Sequence, residues 1–159
     1  MKLRTRVLLI AVGLSLVFGG VLAGALQVRA FRENLETTAQ GGLDASRMLA
    51  ASLTASLNAF AALDDPDAAP RAVRVTAQYM TDRAMVAVVD EAGRLLHDNF
   101  AGGSAELLSL MPDDGGYYRI VRSQGVEYQL IRRVLSAADQ HYALYYAQDI
   151  SRVYSAARS

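Results

Sequence analysis

Arg and Tyr side chains crowd the C-terminal third of the chain: Tyr117, Tyr118, Arg119, Arg122, Tyr128, Arg132, Arg133, Tyr142, Tyr145 and Tyr146. Successive side chains of a β-strand alternate between faces, so about half of such a set gathers on one face of a sheet. Arg on a shared face can grip a carboxylate through two parallel N–H···O bonds. Tyr117 and Arg119, two positions apart, share a face, whereas Arg133 joins them or turns away according to a one-residue difference in register. The candidate ligand-binding residues are Arg119, Tyr117, Arg133, His97 and Tyr146, and the chemistry they suit is capture of a small anion. The other use for the same residues is cross-strand packing, with solvated Arg on the outer face.

The remaining polar residues assemble no catalytic or metal chemistry. The chain has 2 His, His97 and His141, not paired at metal-ligand spacing, and 0 Cys, which removes thiolate ligands, disulfides and Cys nucleophiles together. Asp64, Asp65 and Asp67 lack the loop pattern of a Ca²⁺ hand and read as solvated turn residues. Gly102-Gly103 and Gly115-Gly116 lack the strand, Lys and helix of a phosphate-binding loop, and no Ser, His and Asp set occupies a nucleophile elbow. Catalytic residues, metal and cofactor are each expected to be none.

Lys plus Arg and Asp plus Glu are both 16, so the net charge of +0 offers no field to gather nucleic acid. The absence of Cys suits an exported domain that folds without oxidation.

Val7 to Leu26 reads VLLIAVGLSLVFGGVLAGAL, uncharged and with Ser15 as its one polar side chain. About 20 helical residues cross a hydrocarbon core of about 30 Å. Lys2, Arg4 and Arg6 precede the run, while Arg29 and Arg32 after it are mixed with Glu33 and Glu36, so the positive-inside rule leaves the N-terminus in the cytoplasm. The expected segments are a basic cytoplasmic start over 1–6, a transmembrane helix over 7–28, an extracytoplasmic domain over 29–148 and an exit helix over 149–159. The rival is a cleaved signal peptide, with Ala23, Gly24 and Ala25 as the small residues of a cleavage site. Both readings export the domain.

From Val28 to Leu63 apolar or small residues recur at helical spacing, with Gly41 and Gly42 as the place for a bend or break. Asp64 to Pro70 is a turn-rich stop, followed by a helix from Arg71 to Thr81. The period then changes to that of strands at 84–90 and 94–100, a short helix from Ser104 to Met111, and strands at 117–123, 126–134 and 141–148. Glu91-Ala92-Gly93 and Gln124-Gly125 are turns, Ser136 to Gln140 is a polar loop, and Asp149 or Ser151 opens the last helix. The fold class is α+β: a transmembrane helix running into a long helix, then a five-stranded antiparallel sheet flanked by helices.

That order resembles the extracytoplasmic PAS-like domains of bacterial receptors. VVDEAGRLLHDN at 88–99 looks like the opening hairpin of that sheet, and YALYYAQDISRVYSAARS at 142–159 is similar to the last strand and exit helix of sensor histidine kinases. The resemblance implies an input module whose exit helix leads into a second membrane segment and a kinase core absent from this sequence. His97-Asp98 superficially matches a phosphoacceptor and its acidic neighbour, but in that family the phosphoacceptor belongs to a cytoplasmic dimerisation helix, so His97 is weighed as a ligand contact or an ordinary strand residue.

The expected function is signal perception by a two-component receptor, in which ligand binding biases two arrangements of the first and last helices. The expected partners are the inner or plasma membrane, a second copy of the chain in a homodimer, and a small ligand or an envelope protein. Ala39, Gly42, Ser46 and Ala50 are the small residues through which two long helices could approach. The alternatives are a stand-alone membrane-anchored scaffold of the envelope and the input domain of a chemoreceptor; an exported enzyme lacks a nucleophile, an acid/base pair or a metal set.

Overall fold

A computed structural model of the chain describes residues 3–63, 65, 67–80, 84–100, 104–113 and 117–156. Helix α1, Leu3–Ala61, runs unbroken for 59 residues, about 88 Å at roughly 1.5 Å per residue. Of the bend or break expected at Gly41 and Gly42, the break does not occur. Gly41 faces open space, while a Cβ on Gly42 would collide with the Gln129 side chain. Glycine at position 42 thus serves close approach of helix to sheet.

The apolar start of α1 is uncovered by the rest of the chain: Leu16, Phe18 and Leu22 are each more than 60% exposed. It is the one helix among the described residues long and apolar enough to cross a membrane. From Leu43 onward α1 becomes amphipathic, and Leu49, Leu53 and Leu57 point into the core.

Helix α2, Ala68–Met80, starts three residues earlier than Arg71, because Pro70 in its first turn has no N–H to lose. It lies along α1, where Thr76 Oγ1 donates to Ser56 Oγ at 2.8 Å. Strands β1 (Ala84–Asp90), β2 (Leu95–Asp98), β3 (Tyr118–Ser123), β4 (Val126–Ala137) and β5 (Gln140–Asp149) form one antiparallel sheet ordered β2-β1-β5-β4-β3. Short helices α3 (Ser104–Ser109) and α4 (Ser151–Ala156) follow β2 and β5. The arrangement is mixed α+β and compatible with a PAS-like fold.

The polar loop expected over 136–140 is a two-residue turn. Ala138 and Asp139 both take positive φ (51° and 59°), which lets β4 and β5 continue to the turn, and Ala138 N–H is tied to Asn58 Oδ1 of α1 at 2.8 Å. The glycine breaks at 101–103 and 115–116, the helix end at Thr81, Asp64, Pro66, the first two residues and the tail at 157–159 lie outside the described residues.

Each face of the sheet has its own core. Val86, Val88, Ile131, Leu135, Tyr142, Leu144 and Tyr146 meet α1 and α2. On the other face Ala87, Leu130 and Ala147 meet Phe100, Leu107 and Met111 from the α3 region. This explains why β1 is apolar from Ala84 to Val89, up to its closing Asp90: the strand is covered on both sides.

Candidate functional site

The two-residue turn at Gln124-Gly125 sets the register of β3 on β4, with Ser123 opposite Val126, Arg119 opposite Leu130 and Tyr118 opposite Ile131. Odd residues of β3 therefore share the α3 face with even residues of β4. Arg119 and Arg132 become diagonal neighbours on that face. Arg119 Nη1 donates to Leu110 O at 3.1 Å, and Arg132 Nη1 donates to Asp113 O at 3.3 Å. Both cations thus hold the segment that descends from α3. The Arg132 guanidinium also lies 5.9 Å over the Tyr145 ring, its cross-strand partner on β5.

The sequence-derived residues divide between the two faces. Tyr117 stands one residue before β3, exposed, with the parity of Arg119. Arg133, His97 and Tyr146 lie on the α1/α2 side, opposite Leu144, Val88 and Ile131 respectively. Arg119 and Arg133 are not brought together. Arg132, present in the polar set but not paired with Arg119 by the sequence reading, is the residue that joins it. The signal was available, since a two-residue hairpin turn dictates which parity of β4 faces Arg119.

On the α1 side the side chains serve packing between helix and sheet. Arg133 Nε donates to Ser46 Oγ at 2.8 Å and its Nη2 to Leu43 O at 3.1 Å, while Gln129 Nε2 donates to Ala39 O at 2.8 Å. Burial draws the Arg133 guanidinium below its usual value, with Arg47 adding to the effect and Asp44 opposing it. Ala39, Gly42 and Ser46 are buried beneath β4 and Ala50 packs on the same core. The small residues assigned to contact between two copies are therefore covered within one chain, and that assignment is corrected.

His97 sits on edge strand β2 with Nε2 buried and without a hydrogen-bond partner among the described residues. Burial lowers its pKa; Asp98 opposes the shift and Arg74 of α2 adds to it. Tyr146 donates to Gln148 Oε1 at 3.3 Å, and burial pushes its phenol up. Among the described residues no group of three or more His, Cys, Asp or Glu is placed to hold a metal ion.

The last helix is tied to both sheet and first helix. Ile150 N–H donates to Glu127 O, Glu127 N–H to Ser151 Oγ, and Ser151 N–H to Asp149 Oδ1, all within 3.0 Å. Thr38 of α1 lines one groove with Gln148 and Asp149, whereas Tyr154 meets Phe31 one to two turns nearer the apolar segment. The chain therefore runs back along α1 toward that segment. Phe31 is five residues past Leu26, a rise of about 8 Å.

The chain matches no protein-family model and no curated protein.

Proposed function

We propose that this chain is the extracytoplasmic signal-sensing input module of a membrane receptor of the two-component histidine-kinase type. The observation that carries the reading is the return of α4 along α1 to the level of Phe31, just beyond the apolar run. A binding protein needs one anchor; a receptor needs two helices whose relative position can be read across the membrane. Here the second helix is coupled to the sheet through Glu127, Asp149 and Ser151. A ligand on β4 or β5 that prefers one placement of α4 shifts the pair by its differential affinity alone. Lys2, Arg4 and Arg6 support an N-terminus in the cytoplasm of the inner or plasma membrane. The module works as a homodimer through a surface other than the Ala39, Gly42 and Ser46 stripe.

The test joins the chain, after Ser159, to a second membrane helix and the cytoplasmic half of a reporter kinase. Tyr154→Ala should change reporter output at least about threefold at equal membrane abundance, a shift of roughly 0.7 kcal/mol between states. Output indifferent to Tyr154→Ala, Phe31→Ala and Ser151→Ala alike would leave an envelope scaffold as the better reading.

A further inference from the structure

The two edges of the sheet, β2 and β3, are guarded unequally. β2 is short, its pairing is interrupted by a bulge at Val88 and Val89, and α2 lies against it. β3 pairs with β4 without interruption from Tyr118 to Ser123 and contains no Pro. Gln124 and Gly125, both at positive φ (51° and 83°), make Ser123 and Val126 the hydrogen-bonded pair that closes the hairpin. Bonding then alternates along the strand, so the N–H and C=O groups of Tyr118, Ile120 and Arg122 point away from β4. No described residue hydrogen-bonds to them.

The side chains of this edge include two cations and no acid. Arg119, on the α3 face, forms no ion pair among the described residues. Arg122, on the other face, is 61% exposed, with Glu127 3.8 Å away. Half-buried Ile120 and Val121 lie between them. Topology argues against a second copy as the occupant. α1 runs in the direction of β4, from Ala39 at Gln129 through Ser46 at Arg133 to Asn58 at Ala138. A closed two-fold pair of β3 edges is antiparallel, so it would set the two α1 helices antiparallel with their apolar segments at opposite ends. One membrane cannot hold both.

We infer that the β3 edge receives an extended acidic segment of another envelope protein, added to the sheet antiparallel to β3. Its main chain takes the free N–H and C=O groups of Tyr118, Ile120 and Arg122. Its two carboxylates stand opposite Arg119 and Arg122, one on each face, and two β-branched residues between them lie opposite Ile120 and Val121. The envelope origin of the segment rests on the extracytoplasmic reading; the strand addition does not.

The full chain in detergent micelles is titrated, by fluorescence anisotropy, with a labelled, end-blocked Thr-Glu-Val-Ile-Glu-Thr peptide. Two further peptides carry Lys in place of both Glu, or N-methyl groups on Val and Ile. The Glu peptide should bind with a Kd below about 1 mM and the other two at least about tenfold more weakly. Ile120→Pro removes an N–H from the free edge alone and should weaken the Glu peptide at least about tenfold, with circular dichroism melting to check folding. If that variant does not fold, Arg119→Glu combined with Arg122→Glu is decisive and should exchange the preference to the Lys peptide. No binding up to about 1 mM, or equal binding of the N-methylated peptide, overturns the strand addition. Equal binding of the Lys peptide overturns the acidic partner. A dimer in sedimentation that Ile120→Pro dissociates would assign the edge to a second copy and overturn the proposal. Peptide binding is read without the reporter kinase, so a failed relay through α4 leaves this result standing.

Discussion

Phe31 of α1 and Tyr154 of α4 meet edge to face, with ring centroids 5.3 Å apart and planes inclined at 72°. The contact joins the first and last helices of the described chain beside the apolar segment. Aromatic pairs in this geometry are worth about 0.5–1.5 kcal/mol beyond the area they bury. A double-mutant cycle of Phe31→Ala and Tyr154→Ala, read by urea unfolding, should give a coupling in that range. Strictly additive costs would show that the rings do not support each other.

Gly41 and Gly42 should respond oppositely to the same substitution. Ala at 41 meets nothing and gains helix propensity, so Gly41→Ala should stabilise by about 0.5–1 kcal/mol. Ala at 42 would drive its Cβ into the Gln129 amide, itself held by Ala39 O, so Gly42→Ala should destabilise by about 1–3 kcal/mol. Thermal melts of the two variants check this, and equal effects would mean that helix and sheet separate readily at this point.

The contrast shows what the sequence can and cannot convey. Periodicity located every strand, because β-branched runs bounded by turn residues have few other uses. A Gly-Gly pair in a helical pattern reads equally as a break or as a contact, and only Gln129, far away in sequence, decides between them. The polar stretch at 136–140 reads as a loop because Ala138 gives no hint of a positive φ. Residue type alone puts Arg133 beside Arg119, yet face membership depends on register, and the Gln124-Gly125 turn assigns that place to Arg132. The α1-side role of Arg133 depends on Ser46, a partner that no local pattern announces.

Orientation can be read directly, since the chain has 0 Cys and every introduced thiol is unique. Glu91, exposed in the β1–β2 turn, should as Glu91→Cys react with a membrane-impermeant maleimide on intact cells. Thr5→Cys should react only after permeabilisation. Labelling in the reverse order would place the sheet in the cytoplasm and remove the extracytoplasmic reading.

Acid should weaken the packing of α2 on β2 through His97. In the folded chain its Nε2 is buried without a hydrogen-bond partner among the described residues, and burial lowers the pKa from 6.5 as Asp98 opposes and Arg74 adds to the shift. The unfolded chain therefore binds the proton first. With more protons bound in the unfolded state, stability is complete above about pH 6.5 and falls as the pH drops through that value, until the folded imidazole also protonates. Asp90, whose pKa is lowered chiefly by the backbone N–H of Arg94, also favours the folded state at neutral pH, but its contribution is lost only in the more acidic carboxylate range. Urea midpoints of the full chain at about pH 8 and about pH 5.5 isolate the histidine when repeated with His97→Gln, which retains Asp90 and all other carboxylates. The midpoint should fall further in the parent than in the variant, and an equal fall in both would exclude His97 as its source.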